Sequence, residues 1–142
     1  MDLVPIASYV RAIGRLVRRH NATQPITIFL TTEDPHALEA FKAAVMPSWR
    51  VLHYAPAVSR KRGRHGPAND AMSTKGGMGT HSMVALLLAL RAKFYVLATA
   101  STWSRLIDNV RRNVLDSSCQ GCTDAIDLRP CDDGPNATST SC

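Results

Sequence analysis

No cysteine occurs between Met1 and Ser118; all four, Cys119, Cys122, Cys131 and Cys142, fall in the last 24 residues. Cysteine chemistry is therefore a property of the C-terminal tail. No apolar run approaches the roughly 18 to 20 residues needed to span a bilayer, the longest being Met83 to Leu90. The N-terminus lacks the layout of a signal peptide, because Arg11, Arg15, Arg18 and Arg19 interrupt the apolar residues after Met1. Aromatics are sparse, and none interleaves the basic cluster Ser59-Arg-Lys-Arg-Gly-Arg-His65, so that segment lacks the stacking platforms of an RNA-binding surface. No internal repeat is present.

What remains is an ordinary globular composition, 45% apolar and 20% charged, which argues against global disorder. At 142 residues the chain suffices for one domain with a modest core, and a second full domain does not fit. Lys and Arg outnumber Asp and Glu by 17 to 11, a formal charge of +6 that favours anionic partners without choosing among nucleotides, nucleic acid and acidic surfaces.

The apolar spacing of Ile6, Tyr9, Val10, Ile13, Leu16 and Val17 predicts an amphipathic helix over residues 5–19, with the arginines on its other face. Residues 26–31 form a short β-branched run with the pattern of a buried strand. Glu33-Asp34-Pro35 then offers an acidic cap and a first-turn proline to a helix that ends before Pro47. Residues 50–54 read as a second strand. Residues 55–80 collect Pro, Gly, Arg, Lys and Ser without an apolar period and read as a long basic loop. A helix over 81–91, a third strand over 94–98 and a helix over about 101–114 follow. In the last helix Trp103, Leu106, Ile107 and Val110 share one face, and Arg105, Asp108, Arg111 and Arg112 lie elsewhere.

This alternation predicts an α/β fold, a Rossmann-like parallel sheet with flanking helices and with the three strands adjacent. Residues 1–115 make the domain, and 116–142 a flexible, cysteine-containing tail. In such sheets ligands bind beyond the carboxyl ends of strands, where helix N-termini present amides to phosphate. Two segments have that layout. In Thr31-Thr-Glu-Asp-Pro35, hydroxyls and carboxylates suit hydrogen bonds to a ribose, a base edge or incoming amides. In Thr99-Ala-Ser-Thr-Trp-Ser-Arg105, hydroxyls and a helix start suit a diphosphate. The alternative reading of Asp34 and Ser101 is that they are N-caps and nothing more.

Together the segments Ile28-Phe-Leu-Thr-Thr-Glu-Asp-Pro35 and Phe94-Tyr-Val-Leu-Ala-Thr-Ala-Ser-Thr-Trp-Ser-Arg-Leu-Ile107 resemble the GDP-fucose-binding half of the α-1,6-fucosyltransferase family. The first is similar to that family's strand followed by Thr-Asp-Asp-Pro, the second to its Val-x-Thr-x-Ser-Ser-x-x-x-Arg block. The resemblance covers residues 4–112. It implies one half of a GT-B-like glycosyltransferase that takes GDP-fucose as donor and a glycan or glycoprotein as acceptor, with no obligatory metal and no specific nucleic acid. It further implies a place in the Golgi or secretory pathway. By resemblance Thr32, Glu33 and Asp34 belong to the nucleotide site, Ser101 and Thr102 lie near the diphosphate, and Arg105 follows in the next helix. The sequence departs from the family at Ala85, where an acidic residue is usual, and at Ala100, where one of two serines is usual. The family's His-x-Arg-Arg block, whose arginine holds the diphosphate, is expected upstream of the helix at 5–19. The chain is accordingly expected to be a fragment, weak or inactive alone. Arg18-Arg19-His20 is not that block: it is reversed, and it reads as a solvated last helical turn favoured by the helix dipole.

Two other functions compete. The basic loop suits a small module that binds nucleic acid or an acidic surface, and a truncated, inactive product is the third reading. Cys119-x-x-Cys122 suggests zinc, a disulfide or free thiols. The cysteines and the sequons at Asn21 and Asn136 suit an oxidising lumen, against the missing signal layout. The five scattered histidines suggest no metal site, and Asp108 pairs most simply with Arg105, Arg111 or Arg112.

Overall fold

The computed structural model describes residues 4–23, 25–32, 34–54 and 77–128. Helix α1 (Ile6–Arg19) starts after Pro5 and buries Ala12 and Leu16. Strand β1 (Thr27–Leu30) leads into α2 (Pro35–Ala44), whose first turn is set by Pro35 and by the Asp34 carboxylate accepting the His36 amide at 2.9 Å. Strand β2 (Arg50–His53) pairs with β1 in parallel, Thr27 opposite Arg50 and Leu30 opposite His53. Helix α3 (Gly77–Ala89) precedes β3 (Phe94–Leu97), and α4 (Thr102–Val110) continues through a π-helical turn (Arg111–Leu115) into α5 (Asp116–Cys119). Strand β4 (Asp124–Asp127) returns parallel to β3, Phe94 opposite Asp124 and Leu97 opposite Asp127. The main core joins Leu86, Ala89, Tyr95, Leu97 and Ile107, with Phe29 and Trp103 packed against it.

The architecture is thus mixed α/β with parallel strands and helical crossovers. It differs from the sequence expectation in four ways. The strands at 26–31, 50–54 and 94–98 do not form one hydrogen-bonded sheet: β1 pairs with β2, and β3 with β4. Phe29 reaches the core beside β3 through its side chain rather than through the backbone ladder. Residues 77–80 are helical rather than loop, while 55–76 lie outside the described residues.

The expected tail contributes α5 and β4. Asp-Ala-Ile-Asp has little strand character of its own, but pairing lets the Asp124 amide donate to Lys93 O and the Leu128 amide to Leu97 O, and it buries Leu128. Tertiary pairing overrides local propensity there. Residues 129–142 lie outside the described residues. Finally, Arg111 is buried rather than on the solvated face. It stands one helical turn after the buried Ile107, whose carbonyl accepts its amide, and its guanidinium meets Asp108, Asp116 and Thr123 and lies 5.7 Å from the Tyr95 ring centroid.

Candidate nucleotide site at the strand ends

The carboxyl end of β1 is held by short-range polar contacts. The Thr32 hydroxyl accepts the Asp34 amide at 3.1 Å, and the Thr32 carbonyl accepts from His53 Nε2, at the end of β2, at 3.0 Å. A carbonyl only accepts, so the His53 proton on that bond sits on Nε2. Asp34 is exposed and serves as the cap of α2; Glu33 lies outside the described residues. At the end of β2 the Tyr54 hydroxyl is hydrogen-bonded at 2.6 Å to Nδ1 of His81, in the second turn of α3.

Beyond β3 the chain turns tightly, the Ser101 amide donating to Ala98 O at 2.8 Å. Ser101 occupies the N-cap of α4 but its side chain makes no capping hydrogen bond. The first-turn amides are thus left to another acceptor. Ser101, Thr102 and Arg105 are all exposed, and the Arg105 guanidinium donates to the Thr102 hydroxyl at 3.1 Å. Thr99 donates to Asp127 twice, from its amide at 3.0 Å and its hydroxyl at 2.6 Å, fixing a carboxylate at the end of β4.

Connectivity relates the two halves. Helix α3 begins at the carboxyl end of β2, tied there by Tyr54 and His81, and its far end passes through residues 90–93 into the start of β3. Thr32 and Asp34 follow β1, and Ser101 and Thr102 follow β3. The contacts named above lie within each half: Thr32 with Asp34 and His53, and Thr99 with Asp127. Asp127 and the Tyr54–His81 pair were not singled out from sequence as site residues. Nothing in Asp-Ala-Ile-Asp marks Asp127, because its position depends on the β3–β4 register.

The other end of the β3–β4 pair carries different chemistry. The Asp124 carboxylate accepts from His20 Nε2 and from Arg19, each at 2.8 Å, and His20 stacks on Phe94 with centroids 4.3 Å apart. Arg19 and His20 are thus anchors between α1 and β4 rather than a wholly solvated turn, since β4 brings a carboxylate beside them. The hydrogen bond from His20 is the main reason that the Asp124 carboxyl titrates below its ordinary value; burial opposes this and Arg19 reinforces it. Asp116 is likewise held down, first by the Thr123 hydroxyl and then, against a burial effect of opposite sign, by the Thr123 amide and the charges of Arg111 and Arg112. Asp108 pairs with Arg111 at 2.7 Å and with Arg112 at 2.9 Å.

Cys119 and Cys122 form a disulfide. With Asp116 they make a donor cluster whose ligand atoms lie within 4.8 Å of one another. The sulfurs are bonded to each other, and both Asp116 oxygens accept hydrogen bonds, Oδ1 from Thr123 and Oδ2 from Arg111. In this oxidised form the set is closed to a metal. No helix among the described residues is long and apolar enough to cross a membrane. Compared with models of known protein families, with curated proteins and with solved structures, the chain matches none.

Proposed function

We propose that the chain is the donor-nucleotide half of a glycosyltransferase resembling the α-1,6-fucosyltransferases, with a Rossmann-like organisation and with GDP-fucose bound across the carboxyl ends of β1 and β3. The observation that carries the reading is the start of α4. It follows β3 directly, its N-cap hydroxyl is uncommitted to the helix, and Thr102 and Arg105 stand beside it. A diphosphate supplies the acceptors those amides lack, and the helix dipole favours its charge. Asp34 already caps α2 with a carboxylate, so that end repels phosphate and suits hydroxyl or base-edge contacts. The two strand ends divide the nucleotide between them.

In the complete enzyme fucose passes to a glycan hydroxyl with inversion at the anomeric carbon. Departure of GDP builds charge on the diphosphate, and the α4 amides with Arg105 would stabilise it without an obligatory metal. A glycan acceptor places that enzyme in the Golgi or secretory pathway. The sequence contains no His-x-Arg-Arg block. Since one charge-assisted phosphate contact is worth about 1.5 to 3 kcal/mol, binding by this chain is expected at high micromolar to millimolar GDP.

Ligand-detected NMR tests the reading. GDP should give a saturable signal that Asp34→Ala with Ser101→Ala abolishes, while neutralising Arg60, Lys61, Arg62 and Arg64 leaves it intact. Loss of the signal in the loop variant alone, or tight binding of RNA with none of GDP, would replace this reading with that of a basic nucleic-acid module.

A further inference from the structure

The Cys119–Cys122 disulfide closes a turn whose two inner residues, Gln120 and Gly121, both have positive φ, +56° and +85°. Gly121 takes that conformation freely, whereas Gln120 is strained by it. The turn follows a helical segment running unbroken from Thr102 to Cys119, and both cysteines are exposed. Beside it lies an open depression of about 320 Å³, lined by the disulfide, Ser118, Leu115 and the exposed cations Arg91 and Lys93. That volume is at the low end of small-ligand sites. The nearby Asp116 carboxylate is neutralised by Arg111, at 2.7 Å, so the charge left facing the depression is positive.

We propose that the Cys119–Cys122 disulfide and the depression beside it form a thiol–disulfide exchange site for a small thiol that carries carboxylate groups. Cys119 is the sulfur that leaves with the electron pair: the Cys122 amide donates to its Sγ at 3.3 Å, and the Leu115 carbonyl, 3.0 Å away, opposes that charge until the sulfur is protonated. The incoming thiol, having lost its proton to solvent, attacks Cys122 Sγ; the new S–S bond forms as the Cys119–Cys122 bond breaks. The Cys119 thiolate takes a proton from solvent, and its S–H donates to the Leu115 carbonyl, 3.0 Å away. A second thiolate attacks the outer sulfur of the mixed disulfide and displaces Cys122, which is protonated in turn. Two external thiols are oxidised to one disulfide and the protein disulfide is reduced to two thiols. Arg91 and Lys93 hold the carboxylates of the incoming thiol while its sulfur reaches Cys122.

The test uses the full chain carrying C131S and C142S, so that one pair exchanges. Mercaptopropionate, mercaptoethanol and cysteamine, anionic, neutral and cationic, are supplied at equal thiolate concentration, and disulfide opening is followed by acid quench, alkylation and intact mass. Mercaptopropionate should open the bond about tenfold faster than cysteamine, as electrostatic steering allows. The preference should collapse in about 1 M salt, R91E with K93E should reverse the order, and the quenched adduct should map to Cys122. The salt series needs no change at the cationic residues, so it stands even if that double variant folds poorly. Equal rates for the three thiols, a preference for the cation, or an adduct confined to Cys119 would overturn the proposal.

Discussion

Arg111 and Asp108 meet at 2.7 Å inside the fold, three residues apart, at the junction where α4 gives way to the π turn. The same guanidinium donates to the Thr123 hydroxyl at 2.8 Å, joining that junction to the residue before β4. Among the described residues, removing it leaves Asp108 paired with Arg112 and takes a donor from Asp116, which keeps its two hydrogen bonds from Thr123. Arg111→Ala is expected to cost about 3 kcal/mol, the usual loss when one partner of a buried pair is deleted. Arg111→Lys should recover less than half, because an ammonium lacks the planar fork that spans several acceptors. Urea denaturation measures both, and a loss below about 1 kcal/mol for Arg111→Ala would contradict the network.

Acid should act through Asp124. Its folded-state pKa lies below the ordinary value of 3.8, so it contributes stability above that value and loses the contribution as pH falls through the depressed folded pKa. The thermal midpoint of the wild type should fall below about pH 4, and Asp124→Asn should fall less steeply over the same window while being less stable at neutral pH. Parallel pH profiles for the two proteins would show that the ion pair with Arg19 and His20 carries no linkage.

The two helix starts should respond differently to alanine. Asp34 accepts the His36 amide, so Asp34→Ala should lower stability by about 1 kcal/mol. Ser101 makes no side-chain cap, and Ser101→Ala should stay within about 0.5 kcal/mol of the wild type. A large cost at Ser101 in ligand-free protein would mean that its hydroxyl is committed to the fold.

Gly14 lies in the middle of α1, where a Cβ would meet Arg18 Nη1 at 3.5 Å, an ordinary contact with the mobile end of a long side chain. Gly14→Ala should therefore stabilise the protein by about 0.5 to 1 kcal/mol through helix propensity alone. Circular dichroism on thermal unfolding reads the change, and destabilisation would point to a tighter packing of that face.

Elements with a strong apolar period were legible. The three strand runs at 26–31, 50–54 and 94–98 appear as β1, β2 and β3, and Asp34 caps α2 as its place before Pro35 implies. What escaped depends on contacts distant in sequence. Strand β4 has two apolar residues between aspartates and exists because β3 offers an edge; Asp127 and Asp124 acquire their partners through that register. Arg111 stands one helical turn after the buried Ile107, but its partners Asp116 and Thr123 come from the turn and the strand that follow, which its own helix does not announce. At the candidate site the hydroxyls and the cap could be located from the strand–helix order, but whether a cap was engaged could not, since Asp34 and Ser101 are equivalent as residue types for that role.

The division into two parallel pairs bears on how the molecule opens. Thr27 pairs with Arg50 and Phe94 with Asp124, so each pair closes its own loop of chain, and the entropic costs of closure differ little because they grow only logarithmically with length. Helix α1 packs on both α2 and β3, and Phe29 extends from β1 into the core around Tyr95. These side-chain contacts, rather than a shared ladder, couple the pairs. Native-state hydrogen exchange of the β1 and β3 amides should therefore report one opening free energy while α1 is docked and two once its buried face is cut back at Leu16.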